Sequence, residues 1–216
     1  LAWQAGMAAV DMVASRVSKH NIACDLQFGY LHAALHQRHM TELLEMQDEW
    51  SHRGYNQLTA LTDRGSLASH INSQAYCGGL YDRGSGQIQP LKYLMGLALA
   101  AREAGVDILE HSRVIKIDRG AKKTLYLHNA PQLTAKQVLL CGNAYLTDIG
   151  LPDMSRRLAQ VTSSVLATTP LSDNMIQHIL PSRATVADCN TALNYYRIDA
   201  DNRMIFGGRA SYTNVN

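Results

Sequence analysis

The spacing of the apolar residues changes along this chain, and that change limits the folds open to it. Near the start, Trp3, Met7, Val10 and Val13 recur at three- and four-residue steps, which is typical of one face of a helix. Beyond Gly105, most apolar residues alternate with polar ones, as they do in β-strands. A chain with both patterns and no internal repeat is predicted to form an α+β fold with parallel and antiparallel strands.

The same spacing predicts where the elements lie. After the opening helix, which Asn21 can end in a left-handed conformation, helices are predicted at 36–52, 62–71, from Pro90 to Gly105, and at 173–180. Strands are predicted at 25–31, 74–82, 106–109, 112–118, 124–128, 135–141, 158–169, 185–188, 194–198 and 203–206, with a loop at 83–86.

Charge and composition exclude several classes of partner. The net charge of the 216 residues is only +2, with both signs interspersed, so no basic surface for nucleic acid is expected. No apolar run is long enough to span a membrane, and no signal peptide is visible. The four cysteines include no C-x-x-C pair, which is typical of reduced thiols in a cytoplasmic protein. The expected partner is therefore a small molecule.

Three histidines, His32, His36 and His39, could share a helical face at a spacing that would suit a metal. No H-E-x-x-H pattern or nearby carboxylate pair accompanies them, so they are interpreted as surface histidines and no metal site is assigned.

The closing stretch 194–209 carries the strongest functional signal. Two short apolar runs flank a polar turn at 199–202, which predicts a β-hairpin, and the second run stops at Gly207-Gly208. A glycine pair lets the backbone approach a flat ligand, although an ordinary hairpin closing on a glycine turn explains the pattern as well. Adjacent Tyr195 and Tyr196 must point to opposite faces, so one lines a pocket and the other packs. Arg197 is either a salt-bridged surface residue or a clamp for a carboxylate.

A second stretch supports the ligand interpretation. The predicted strand 135–141 ends at Gly142, and ligands of open α/β sheets collect at the carboxyl ends of strands. A nucleotide would rest at Cys141, Gly142 and Asn143, although a strand-to-helix turn also needs a glycine. Because Cys141 ends an apolar strand, its thiol is predicted to be buried and inert.

Taken in order, these pieces resemble the second half of the FAD module of the D-amino-acid oxidase-like family of flavin amine oxidases, which includes glycine oxidase and sarcosine oxidase. The matching residues are Gly86-Gln-Ile-Gln-Pro90 opening a helix, Val114, and the stretch 138–145. The closing stretch most resembles the gamma-glutamylputrescine oxidase branch. The resemblance implies part of a glutathione-reductase-like FAD-binding domain and an antiparallel substrate-binding sheet.

The resemblance also implies roles for individual residues. The residues expected to bind FAD are Val114, Cys141, Gly142, Asn143, Gly207 and Gly208, and those expected to bind substrate are Tyr195, Tyr196, Arg197 and Arg209. The implied reaction oxidises the C–N bond of an amine, with FAD as hydride acceptor and oxygen as reoxidant. No catalytic side chain is assigned, because the cofactor performs the difficult step. The alternatives are an FAD-dependent dehydrogenase of an amino acid or a 2-hydroxy acid, or a cofactor-free binding domain of the same fold.

The sequence departs from the family at both ends. It has no Gly-x-Gly-x-x-Gly between a strand and a helix, and it starts inside an apolar helical stripe. The family's last strand and helix, expected after the Gly-Gly-Arg stretch, are missing beyond Asn216. We therefore expect a piece of a longer polypeptide that is inactive and binds FAD weakly, if at all, on its own. The expected regions are 1–75, helical and joining the two domains, 76–150, the remainder of the FAD-binding domain, and 151–216, the substrate-binding sheet.

Overall fold

The structure is a computed structural model that describes residues 2–129, 131–149, 151–159 and 161–211. Within these ranges the chain forms two compact units. The first is built from residues up to 104 and from 163–210, and the second from 105–162 together with residue 211.

Helices and strands occur in both units. The helices are α1 (Ala2–Lys19), α2 (Gln37–His52), α3 (Arg64–Ala68), α4 (Pro90–Glu103), α5 (Pro152–Ser155) and α6 (Asp173–Ile179), with a 3-10 helix at Asn143–Asp148. The strands are β1 (Gln27–Ala34), β2 (Leu58–Leu61), β3 (Gly78–Gln87), β4 (Val114–Asp118), β5 (Lys123–Leu127), β6 (Leu133–Ala135), β7 (Thr162–Ala167), β8 (Thr185–Asp188), β9 (Asn194–Ile198) and β10 (Met204–Ser211).

A seven-stranded mixed sheet with the order β2-β3-β1-β8-β9-β10-β7 forms the centre of the first unit. β1 and β8 are parallel, whereas β1–β3, β2–β3, β8–β9 and β9–β10 are antiparallel pairs. This arrangement confirms the predicted mixture of helices with parallel and antiparallel strands. Residues 1–75, expected to be a helical region, also contribute β1 and β2 to this sheet.

Two apolar clusters hold the sheet between helices. On one face, buried Leu31, Val186 and Ile198 pack with Leu67 of α3 and Ile176 of α6. On the other face, the members of the cluster come from the sheet, from α2 and from the segment after it. They are Ala34, Leu80, Met40, Leu43, Tyr55 and Leu58. Because side chains alternate along a strand, β1 contributes Leu31 to the first cluster and Ala34 to the second, and β2 contributes Leu61 and Leu58 in the same way.

The second unit contains the antiparallel meander β4-β5-β6. The 3-10 helix and α5 follow it along the chain. The left-handed residue Asn129, with φ of 58°, lies in the connection after β5.

Several predicted elements are confirmed. The strands at 185–188 and 194–198 have the predicted bounds, and a helix begins at Pro90. The side chain of Gln89 accepts a hydrogen bond from the backbone N–H of Lys92 at 2.7 Å, so the start of this helix is capped. Asn21 has a φ of 51°, as its left-handed role requires.

Other predictions were wrong. The segment 83–86 is part of β3 rather than a loop, because Gly86 pairs with Phe28 of β1 across an irregular register. β10 runs through Gly207 and Gly208 instead of stopping before them. Residues 106–109 form no strand. Where a strand was predicted at 135–141, the last strand of the meander covers only residues 133–135. In the described chain no strand pairs with 136–142, and Leu139 is 88% exposed.

Among the described residues, no helix combines the length and the apolar character needed to cross a membrane.

Candidate functional site

One face of the large sheet brings together side chains from strands that are far apart in sequence. We call Tyr30, His32, Thr185, Tyr195 and Arg197 the open face. The register places Tyr30 beside Thr185 and His32 beside Ala187 across β1 and β8. Ala187 pairs in turn with Tyr195, and Tyr195 pairs with Gly207. Each of the five open-face side chains is half-buried, so the face remains accessible to a ligand.

The two adjacent tyrosines have different roles. Tyr196 is buried on the opposite face, where its hydroxyl donates a hydrogen bond to the hydroxyl of Tyr76 at 3.1 Å. Its ring stacks on Phe206 with 5.5 Å between the centroids, and burial raises its pKa above the ordinary value. Tyr196 therefore packs, and Tyr195 is the tyrosine on the open face.

Gly207 and Gly208 differ in what surrounds them. The ring of Tyr195 lies where a Cβ of Gly207 would be, well inside contact distance. A Cβ on Gly208 would meet Asn194 Oδ1 at 3.2 Å. The absence of a side chain at Gly207 is thus explained by the neighbouring tyrosine ring, whereas Gly208 has a polar neighbour and more room.

Arg197 is held by amides rather than by a carboxylate. Its Nη1 donates to Gln87 Oε1 at 3.0 Å, and Gln87 Nε2 donates to Gln27 Oε1 at 3.3 Å. Both amides also donate to the backbone oxygen of Arg183. No carboxylate within the described ranges forms an ion pair with Arg197. A positioned guanidinium without an anionic partner can bind a carboxylate through two parallel hydrogen bonds.

Sequence reasoning missed three members of this face. The hydroxyl of Thr185 is buried and has no hydrogen-bond partner in the described part of the chain. Burial lowers the pKa of His32, and the charge of Asp82 opposes that shift. The three histidines that could have shared a helical face do not share one: His32 lies on β1, and His36 and His39 lie at the start of α2. Alternation along β1 could have placed Tyr30 and His32 on one face, but not next to β8.

The second unit contains an apolar cavity of about 610 Å³. Three predicted cofactor residues, Val114, Cys141 and Gly142, line it together, and Arg113 is the charged residue of its lining. Asn143 is not part of the lining; it begins the 3-10 helix with a φ of 47°. Cys141 is exposed, not buried as predicted, because the segment expected to end there pairs with no strand of the described chain.

Two predictions remain to be placed: the substrate-binding role of Arg209 and the metal site that the sequence did not assign. Arg209 lies on β10, but its side chain falls outside the described residues. Among the residues described, no group of three or more His, Cys, Asp or Glu side chains is placed to hold a metal ion.

Comparison with known proteins identifies the class of protein to which this chain belongs. A family model described as FAD dependent oxidoreductase (DAO) matches residues 1–216. The chain belongs to this family of FAD-dependent oxidoreductases.

Two curated proteins show which members of the family this chain is similar to. The chain is 36% identical over 217 residues to the "Probable oxidoreductase OrdL" of Haemophilus influenzae, a match that covers 97% of this chain and 49% of the relative. It is 33% identical over 202 residues to the gamma-glutamylputrescine oxidoreductase of Escherichia coli, covering 94% of this chain and 47% of that protein. The chain spans about half the length of these relatives.

Solved structures share the fold. Glycine oxidase from Geobacillus kaustophilus matches with a TM-score of 0.71 and 18% identity, over 93% of this chain and 52% of that one. L-proline dehydrogenase from P. horikoshii matches with a TM-score of 0.75 and 13% identity, over 96% and 55% of the two chains. At these identities the likeness establishes the fold alone.

The cavity of the second unit fits one end of FAD. Its walls are almost entirely aliphatic, with Val114, Leu125 and Leu146 among them, and no carboxylate of the described residues lines it. An apolar slot of this kind suits a flat heteroaromatic ring such as adenine, and Arg113 supplies the positive charge that a phosphate favours. A Cβ at Gly142 would lie 2.8 Å from Leu146 Cδ2, so this turn has no room for a side chain.

Proposed function

We propose that the complete protein containing this chain oxidises the C–N bond of an amine that also carries a carboxylate, in the manner of gamma-glutamylputrescine. FAD, when bound, takes the hydride from the carbon next to the amine nitrogen and passes the electrons to oxygen, which becomes hydrogen peroxide. The nitrogen loses a proton in the same oxidation. Water then hydrolyses the imine to an aldehyde and ammonia.

The observation that carries this proposal is the open face. Arg197 lies two positions along β9 from Tyr195, on the same face, and has no carboxylate partner among the described residues, while Gln87 and Gln27 orient its guanidinium. A glutamyl carboxylate would replace the missing anion through a charge-assisted pair of hydrogen bonds. The ring of Tyr195 and the neutral ring of His32 would form walls that exclude water from an uncharged amine.

We propose that Val114, Cys141, Gly142, Asn143, Gly207 and Gly208 are the FAD-binding residues of this chain, with the first four near adenosine and the two glycines near the flavin ring. Since the Gly-x-Gly-x-x-Gly turn that seats a diphosphate is absent from these 216 residues, we propose that the chain by itself holds FAD weakly and turns over no substrate.

The test uses the complete purified protein. Addition of gamma-glutamylputrescine without oxygen should bleach the flavin absorbance, and addition in air should produce peroxide. If simple amines and gamma-glutamylputrescine leave the flavin oxidised, the proposal fails.

A second candidate follows from the same arginine. A guanidinium without an anionic partner among the described residues binds the carboxylate of an amino acid or a 2-hydroxy acid equally well, which supports an FAD-dependent dehydrogenase of one of these. Bleaching by lactate or by an amino acid, with none by gamma-glutamylputrescine, would favour this candidate. A complete protein that never takes up FAD would favour the cofactor-free binding domain.

We propose a cytoplasmic location, since the thiol pattern of the sequence is typical of that compartment. We also propose that the chain has three functional regions, 1–75, 76–150 and 151–216.

A further inference from the structure

A second cavity lies between α1 and the β1–β3 part of the first unit. Its volume is about 480 Å³, which is within the range of small-molecule sites. Val10, Val13 and Ala14 of α1 form one wall. The other aliphatic and aromatic residues of the lining are Leu26, Phe28, Tyr30, Trp50 and Ile88.

One carboxylate in this lining is almost completely buried. Asp82 is 1% exposed, and its Oδ1 accepts hydrogen bonds from the hydroxyl of Tyr55 at 2.5 Å and from the backbone N–H of Gly84 at 2.8 Å. Both bonds end on the same oxygen. Within the described ranges, neither a hydrogen bond to Oδ2 nor an ion pair to Asp82 is found.

A buried charge without a counter-ion is costly, so buried carboxylates are normally paired. His32 also lines the cavity, but burial lowers its pKa, so this ring is uncharged at neutral pH and does not neutralise Asp82. Tyr55 is likewise neutral, because burial and the Asp82 bond raise its pKa. The cavity thus combines one unpaired carboxylate oxygen with aromatic and aliphatic walls.

We propose that this cavity binds an alkylammonium group, with the ammonium on Asp82 Oδ2 and the alkyl part against α1. The carboxylate supplies a charge-assisted hydrogen bond. The rings of Trp50, Tyr30 and Phe28 suit a cation with an apolar stem, because aromatic faces attract cations and apolar surfaces bury methylene groups. The cavity shares Tyr30 and His32 with the open face, but binding of the ammonium depends on Asp82 and does not require the proposed oxidation.

The probe is tert-butylammonium, compared with tert-butanol, its neutral counterpart of nearly the same shape. The carbon bearing the nitrogen has no hydrogen, so the probe cannot be oxidised by hydride removal. Binding to the complete protein is measured by titration calorimetry. The ammonium is expected to bind at least about tenfold more tightly than the alcohol, because a hydrogen bond to a charged group contributes more than one to a neutral group.

Two variants locate the site. Asp82→Asn keeps the shape and removes the charge, and it should weaken tert-butylammonium binding about tenfold or more. The control is Asp188→Asn, a second buried aspartate whose carboxylate accepts hydrogen bonds from Asn190 and Asn194, which should change binding less than about twofold.

Ala14→Leu narrows the cavity from α1 and leaves the buried carboxylate unchanged, so it tests the site even if Asp82→Asn does not fold. It should weaken binding of the probe, whereas Ala8→Leu, at an exposed position outside the cavity lining, should not. Equal affinity for the alcohol and the ammonium would overturn the proposal. Unchanged ammonium binding in Asp82→Asn or in Ala14→Leu would overturn it as well. A protein that binds the probe yet oxidises no amine would contradict only the proposed function.

Discussion

Single residues decide which groups reach a ligand. Tyr195 and Tyr196 are chemically identical neighbours, yet one belongs to the open face and the other to the core. The difference comes from the alternation of side chains along β9 and from the partner that each meets on β10: Gly207 for Tyr195 and Phe206 for Tyr196.

The two glycines of β10 should respond differently to a methyl group. Gly207→Ala places a Cβ inside the ring of Tyr195, and we expect it to lower the free energy of unfolding by about 1–3 kcal/mol. In Gly208→Ala the closest atom to the new Cβ is Asn194 Oδ1 at 3.2 Å, so we expect little loss of stability but weaker flavin binding in the complete protein, if the flavin ring lies against it. Denaturant unfolding of the apo form and flavin titration measure the two effects. Equal stability losses, with unchanged flavin affinity, would contradict this division.

Arg197 should contribute to substrate affinity rather than to folding. Arg197→Gln removes the charge, and we expect KM for gamma-glutamylputrescine to rise about tenfold or more, since a charge-assisted pair is lost. For butylamine, which has no carboxylate, KM should stay within about twofold. Arg203→Gln is the matched control, because Arg203 is on the same hairpin and donates to the backbone oxygen of Thr168. If both substrates are affected equally, Arg197 does not bind a carboxylate.

His70 should make stability depend on pH. Its Nδ1 is buried without a hydrogen-bond partner in the described part of the chain, and burial lowers its pKa below 6.5. As pH falls through 6.5, the unfolded chain takes up a proton more readily than the folded one, so the stability contributed by neutral His70 is lost on the acid side. His70→Phe, which keeps a ring against Tyr81, should reduce the loss of stability between pH 7 and pH 5. An unchanged pH slope in denaturant unfolding, with the exposed His20→Phe as control, would refute this.

At the scale of elements, the β9–β10 hairpin is held by its turn. Asp199 Oδ1 accepts from the backbone N–H groups of Asp201 and Arg203, at 2.9 and 2.8 Å. Asn202, with a φ of 61°, accepts from Arg183 and donates to Asp173. The turn is therefore connected to the segment before β8 and to the start of α6.

Substitutions at Asn202 can separate the backbone from the side chain. Asn202→Gly loses both side-chain hydrogen bonds but suits the left-handed conformation, whereas Asn202→Ala loses the bonds and strains the backbone. We expect Asn202→Ala to be less stable than Asn202→Gly by about 1 kcal/mol. Denaturant unfolding of both variants measures the difference, and equal stabilities would mean that the backbone relaxes.

Another element, α4, has an apolar surface that no described residue buries. Leu91, Leu94, Met95 and Leu99 are each 59–64% exposed, and none of the residues of α4 is buried. The helix is nevertheless well specified, because Pro90 starts it, Gln89 caps it and Gly105, with a φ of 86°, follows its end.

At the scale of the whole molecule, cofactor binding and chain length are connected. The 216 residues span about half the length of the relatives and lack the turn that binds the diphosphate. We expect the complete protein to purify yellow and the 216-residue polypeptide to lose FAD on dialysis. Absorbance at the flavin band after dialysis measures the retained fraction. A polypeptide that keeps one FAD per chain would show that the diphosphate turn is not needed.

The sequence by itself determined much of this protein. The bounds of β8 and β9, the start of α4 and the left-handed Asn21 follow from local alternation, proline at a first helical turn and asparagine at a helix end. These signals are local, because they depend on neighbours a few residues away. The family, and with it the mixed fold, was also visible in the order of the motifs.

Tertiary structure alone decided the sites. The open face joins β1 with β8 and β9, more than 150 residues apart, so its register cannot be read from spacing. Asp82 keeps one oxygen unpaired because Tyr55 bonds to the other, and Gly207 has no room for a side chain because the ring of Tyr195 lies against it. The expected strand at 135–141 failed for the same physical reason: an apolar run becomes a strand only where another strand satisfies its backbone hydrogen bonds.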